Sequence, residues 1–335
     1  MNQLKSLKQQ RIELIKTTPN IIISEDEVIQ ESHGNFIEAN TSKVTLEHLK
    51  KDCIIPVFSK DNETTISHYE FVNSIHSAIS EIFSNSLILK PDIRVSHVIK
   101  GRVPTAIGKP AKELLDHEKT IYWERMAFMF ELPEITRVIN GNKLTLMVGG
   151  VRAYNLENLY SKKGMEKFKI FIGFKNMVCC NMCISTDGYF GELRVSAIDQ
   201  LIEKSLELFS TYNVERHMEA MEFLGKHQIS ERQFAHLMGK LKMASHAPKL
   251  SNREKGVFDI NDGQINNVIK NYYTDDNFCK GMDNSLNLWN LYNLFTGANK
   301  SSYIHNNIDR NVGSFEFCTS LANSLDSNVG NWFLN

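Results

Sequence analysis

No stretch of this 335-residue sequence approaches the ~18 consecutive apolar residues that a membrane-spanning helix needs. Its opening residues, Met1-Asn2-Gln3-Leu4-Lys5, lack the apolar run of a secretory leader, so a cytoplasmic protein with reduced thiols and no membrane partner is expected. Cysteine is sparse: six are scattered through a chain long enough to bury its own core, which excludes a disulfide scaffold. An excess of one charge sign is missing too. With 38 Lys+Arg against 39 Asp+Glu the formal net charge is -1, which excludes the uniformly basic surface of a histone-like coat. No repeat or low-complexity linker fixes a domain boundary. A hydrophobic content of 42% with 23% charged residues rules out disordered and fibrous classes.

Several chemistries are absent as well. Gly101 to Pro110 has the outline of a phosphate loop, but six residues separate its glycines where a Walker loop has four. Pro110 also stands where a Ser or Thr must reach magnesium. No Gly-x-Ser-x-Gly elbow occurs, and no Lys has an acid two positions before it, as a restriction-type nuclease strand requires. Cys179-Cys180-Asn181-Met182-Cys183 contains a CxxC. Read as a strand, it sends Cys180 and Cys183 to opposite faces, so buried free thiols are favoured and no metal is expected. Cys179, Cys180 and Cys183 remain the alternative ligand set. His217, His227, His236 and His246 recur at nine or ten residues, too far apart for ligand pairs, and read as surface or cap positions. No cofactor is expected and the leading reading is non-enzymatic, although an active site assembled from distant residues stays open.

What is present is an uneven distribution of charge. Residues 90–198 carry 17 basic and 11 acidic residues, whereas the flanking segments 1–89 and 256–335 are each acidic by four. Ser67-His68-Tyr69-Glu70 is a capping box opening an amphipathic helix, with Phe71, Ile75, Ile79 and Ile82 on one stripe. A helix to Lys16 and a polar arm around Ser24-Glu25-Asp26-Glu27 precede it. From about Ile93 to Val195 the apolar period is two. A hairpin runs from Ile121 to Leu132 and from Lys143 to Ala153, turned by Asn140-Gly141 in the manner of a type I′ turn. A second pair spans Lys167 to Ser185, and Glu192 to Ser196 adds a further piece. After Asp199 the pattern is helical, with a second capping box at Ser230 and a helix from Asn284 to Thr296 that Gly297 is placed to end.

The expected fold is therefore α+β: an antiparallel sheet of hairpins over about 93–196, with an N-terminal helix and a C-terminal helical region packed on it. The expected divisions are an arm with a short helix (1–60), a helix plus sheet (61–198) and a helical region (199–335), packed as one unit with the sheet.

One face of that sheet is apolar: Tyr122, Met126, Phe128 and Phe130, then Leu144, Leu146 and Val148, then Phe168, Ile170, Ile172 and Phe174. The opposite face carries Trp123, Arg125, Lys143, Thr145, Lys167, Lys169, Phe171 and Lys175. Cations interleaved with rings on an open sheet suit single-stranded nucleic acid, because ammonium groups attract phosphates and rings stack on unpaired bases. Arg94, Lys100, Arg102 and Lys109 extend the basic set, and Arg232, His236 and Lys240 form a further stripe at a spacing of four. A solvated sheet face has the same alternation, so this reading stays an expectation. The alternative is a protein-interaction or host-modulating module acting through the acidic, Asn-rich C-terminal helices.

Five stretches carry a resemblance: His97 to Pro104, Tyr122 to Met126, Gly149 to Tyr154, Phe171 to Cys183 and Leu288 to Asn293. Their order and wording resemble an uncharacterised family of bacterial proteins carried on conjugative elements and plasmids. That family is itself similar to a broader group of phage and plasmid proteins of unknown function. The resemblance spans the chain from about residue 45 onward. It implies a mobile-DNA setting and brings no activity or catalytic residues. Together these readings point to a mobile-element protein that binds or anneals single strands.

Overall fold

The computed structural model describes residues 34–53, 65–106, 108–157, 165–246 and 258–334. The helix to Lys16 and the acidic arm expected before residue 34 lie outside the described residues.

The fold is α+β, and its centre is an antiparallel sheet. In chain order its strands are β1 (Ser42–Val44), β2 (Asp92–Arg102), β3 (Lys119–Ile139), β4 (Asn142–Ala153), β5 (Glu166–Asn176), β6 (Met182–Cys183) and β7 (Tyr189–Val195). They lie in the order β1-β2-β3-β4-β5-β6, with β7 also paired to β5. The β3–β4 hairpin is built as the sequence indicates. Asn140 and Gly141 both take positive φ, 48° and 81°, which suits the twist of the paired strands. β3 is longer than expected because the register shifts between Leu132 and Thr136, and this irregularity carries the strand past Pro133. β5 ends at Asn176, so Cys179 and Cys180 sit in the turn and not on a strand. Cys180 has φ 58° there.

Eight α-helices occur among the described residues. Two precede the sheet's long strands: α1 (Leu46–Lys51) and α2 (His68–Ile82). Six follow: α3 (Ile198–Thr211), α4 (Val214–Gly225), α5 (Glu231–His246), α6 (Asp262–Thr274), α7 (Leu288–Asn299) and α8 (Ile304–Asp326). The Ser67 capping box forms in full, and Ser230 and Gln233 cap α5 reciprocally. α7 begins at Leu288, where the Asn287 side chain caps it. It then runs through Gly297, so this glycine does not end the helix.

The apolar face identified above forms the main core. Phe128, Phe130, Leu146, Val148, Ile170 and Phe174 are buried with Phe71 and Ile75 of α2, Leu201 and Leu208 of α3, and residues of α4 to α8. The second face has its own smaller cluster. Ala127, Met129, Met147, Val151 and Phe171 are covered by Ile304, Ile308 and Val312 of α8, and by Phe36 and Ile37. Consecutive glycines serve the two sides. A Cβ at Gly149 would fall 2.6 Å from Phe171 Cζ, and one at Gly150 would fall 2.4 Å from Phe71 Cζ. Each glycine thus lets an aromatic ring lie against the strand.

Candidate functional site

The second sheet face is not the open platform that its alternation suggested. Strand pairing does place Arg125, Lys169, Phe171, Lys175 and Lys143 on the side expected of them. That same side carries Ala127, Met129, Met147 and Val151, and α8 closes over them at spacings of four, Ile304, Ile308 and Val312. Phe171 is 0% exposed, so it cannot stack on a base. Lys175 is 3% exposed and its ammonium lies 2.6 Å from Glu131 Oε1. Thr145 is buried and Lys143 half-buried.

The remaining candidates are dispersed. Trp123 is half-buried, packs toward the main core and donates its indole N–H to His48 Nε2 at 3.2 Å. Arg94 is buried and donates to Thr41 and Asn35. Lys167 pairs with Glu192 at 3.1 Å. Lys100 is exposed on β2, Arg102 donates to the Lys109 carbonyl, and the Lys109 ammonium meets Glu118 at 2.5 Å. The α5 stripe is partly occupied: the Lys240 ammonium lies 4.1 Å from the Trp332 ring centroid, with His236 against the Trp332 carbonyl.

A partly exposed polar corner remains where the second face emerges from under the first turn of α8. Arg125 donates to Asn155 at 3.2 Å and lies 5.5 Å from the ring centroid of Tyr303, the residue just before the helix. Tyr303 is 59% exposed and stacks on His305, with ring planes 9° apart. Lys169 closes the corner, donating to the His305 carbonyl at 2.7 Å and to the Asp309 carboxylate. Partial burial lowers the pKa of His305, and the neighbouring Arg125 and Lys169 lower it further, against the opposing pull of Asp309. The imidazole thus registers a local positive potential. Of the candidate residues, Arg125 and Lys169 are the two brought together here. Tyr303 and His305 escaped sequence reasoning because they lie about 180 residues from β3.

A second cluster also went unrecognised. Arg152, fully enclosed, donates to both oxygens of Glu157, to Glu166 and to the Ile66 carbonyl, with its guanidinium over Tyr154 and Phe168. Glu166 also accepts the Ile66 N–H, which ties β4 and β5 to the entry of α2. Burial raises the pKa of Glu166, against the pull of Arg152. Beside them His68 donates from Nε2 to the Trp123 carbonyl at 2.8 Å, and burial holds its pKa down to about 3. Every guanidinium nitrogen of Arg152 has an acceptor, so the cluster's work is to hold this end of the sheet together.

A family model described as "Domain of unknown function, B. Theta Gene description (DUF3871)" matches residues 16–334. The chain belongs to the DUF3871 family. Neither the curated proteins nor the solved structures contain a match to it. The family description carries no activity, and it says nothing of conjugative elements or plasmids.

Among the described residues of this DUF3871 chain, no group of three or more His, Cys, Asp or Glu is placed to hold a metal ion. Burial pushes the Cys179 thiol up to about 12 and raises that of Cys183 further, so neither is a ready thiolate. Among the same residues no helix is long and apolar enough to cross a membrane.

Proposed function

We propose that this DUF3871 protein binds single-stranded nucleic acid at the corner formed by Arg125, Lys169, Tyr303 and His305, and not across the middle of the sheet. The observation that carries this is the exposed Tyr303 ring stacked on half-buried His305 and flanked by two cations. Stacked rings offer a π-face to an unpaired base, and the guanidinium and ammonium attract the adjoining phosphates. Lys100 and Arg102 provide further positive charge on β2, the strand paired with that of Arg125. A setting in mobile DNA, with a role in annealing or protecting single strands, belongs to the same proposal.

Fluorescence anisotropy with a labelled mixed-sequence oligonucleotide tests it. Binding weakens with salt, Tyr303→Ala costs about 1–3 kcal/mol of stacking energy, and Arg125→Ala lowers the salt slope by about one. No binding at low salt, or binding untouched by both substitutions, overturns the reading. A second reading rests on exposed apolar side chains of the C-terminal helical region, Met243 on α5 and Val329 and Trp332 after α8. It proposes a protein partner at these helices, and predicts nuclease-resistant recovery of one stoichiometric protein, lost in Trp332→Ser.

A further inference from the structure

The turn Thr186–Gly188, helix α4 and the second half of α8 line an open groove of about 790 Å³. Its walls include Asp187, Arg216, His217, Glu316, Thr319 and Asn323, with Phe315 beneath them. Such a volume is in the range of small-molecule sites.

Two polar groups on these walls have no hydrogen-bond partner among the described residues: His217 Nε2 and Thr319 Oγ1. His217 was expected at a surface or cap position, but it is 1% exposed and packed edge-on against Phe174, Tyr212 and Phe315. Its Nδ1 lies 2.6 Å from the Tyr212 hydroxyl. If the tyrosine donates, Nδ1 is the acceptor and the ring proton sits on Nε2. The reverse assignment would strand the tyrosine proton as well, so the first is favoured. Burial keeps the imidazole neutral, with its pKa lowered to about 4. The unpaired group is therefore an N–H donor, and a buried donor left unmatched costs about 1–3 kcal/mol. A native protein leaves few such groups without an occupant.

The carboxylates point the other way. Asp187 accepts from the Ser185 hydroxyl at 2.6 Å and from the Asn213 N–H, and Glu316 accepts from the Thr186 hydroxyl at 2.7 Å. Each retains lone pairs for a ligand. With one Arg216 against two acids the groove is net negative, which disfavours an anion. An N–H donor in the wall disfavours a cation. A group that both donates and accepts fits both facts.

We propose that the groove binds a neutral polyhydroxylated ligand, a short oligosaccharide or related polyol, with Asp187 and Glu316 accepting from its hydroxyls and His217 and Thr319 facing its oxygens. This site is separate from the nucleic-acid corner and does not depend on it.

Saturation-transfer NMR on the full chain tests the proposal, using maltotriose, cellotriose, N,N′,N″-triacetylchitotriose and myo-inositol at millimolar concentration, with inorganic phosphate and spermidine as charged probes. At least one hydroxylated probe should bind, and its affinity should fall several-fold or more in Glu316→Gln and in Thr319→Val. Both substitutions keep the side chain's shape, and far-UV circular dichroism confirms that they fold. Silence from all four hydroxylated probes overturns the proposal. So does binding by phosphate or spermidine alone, or sugar binding indifferent to both substitutions.

Discussion

The two faces of the sheet have the same strands, the same register and the same alternation, yet they differ in how far they are covered. The first is roofed by α2, α3 and the helices after them, and buried charge on it includes the closed Arg152–Glu157–Glu166 set and Arg137, paired with Glu215 of α4. The second is covered by one helix and a short N-terminal segment, and its charges lie in separate ion pairs, among them Lys175 with Glu131, Lys169 with Asp309 and Arg125 with Glu124. Coverage stops at Tyr303, and this leaves a polar, ring-bearing corner. Strand periodicity says which residues share a face, and only tertiary packing decides whether that face meets water.

The comparison is broken most forcefully at Arg152. Arg152→Ala leaves Glu157 and Glu166 buried without their cation, and a loss of about 3–5 kcal/mol is expected, read as a lowered urea midpoint. On the other face, Phe171→Ala should cost a similar ~3–5 kcal/mol through the cavity it opens. It should leave oligonucleotide affinity unchanged once both proteins are folded. If Phe171→Ala instead kept full stability and lost nucleic-acid binding, the second face would be open in solution and the covered architecture wrong.

Much of this was legible beforehand, for identifiable reasons. The Asn140-Gly141 turn, the Ser67 and Ser230 boxes and the first face are local patterns, set by residues within a few positions of one another. The closure of the second face was half-visible, since Ala127, Met129, Met147 and Val151 are apolar where a solvated face would be polar. Their partners Ile304, Ile308 and Val312, however, lie more than 150 residues away. Gly297 misled because an interior glycine in a buried helix has the same local signature as a C-cap. His217 misled because a spacing of nine or ten residues says nothing about a ring filling a hole between Phe174 and Phe315. In the corner, Arg125 and Lys169 could be read from alternation, but Tyr303 and His305 could not.

A smaller effect separates buried from wet histidines. His217 and His68 are held neutral by burial, at about 4 and about 3 against an ordinary 6.5. Between pH 6.5 and 4 the unfolded chain therefore binds more protons than the folded one, and stability falls as pH falls through that window. For His217 the full loss is about 3 kcal/mol at 1.4 kcal/mol per unit. Urea midpoints at pH 7 and pH 5 should diverge more in the wild type than in His217→Phe, whose Tyr212 hydroxyl loses an acceptor at both pH values alike. Equal divergence would mean that protonation of His217 does not drive the loss of stability at low pH.

The smallest change in stability should accompany the clearest change in the corner. Lys169 and Asp309 are partly exposed, and pairs of that kind contribute about 0–1 kcal/mol. Neither Lys169→Ala nor Asp309→Asn should therefore move the urea midpoint far. On an oligonucleotide they should act in opposite directions. Removing Lys169 takes away a cation and should lower both affinity and salt slope. Asp309→Asn keeps an acceptor for Tyr189 while removing the negative charge that competes with phosphate for Lys169, and it should raise affinity a few-fold. Opposite signs at equal stability cannot come from loss of fold. If both substitutions weaken binding equally, or neither does, the second face carries its charges for packing alone and differs from the first only in size.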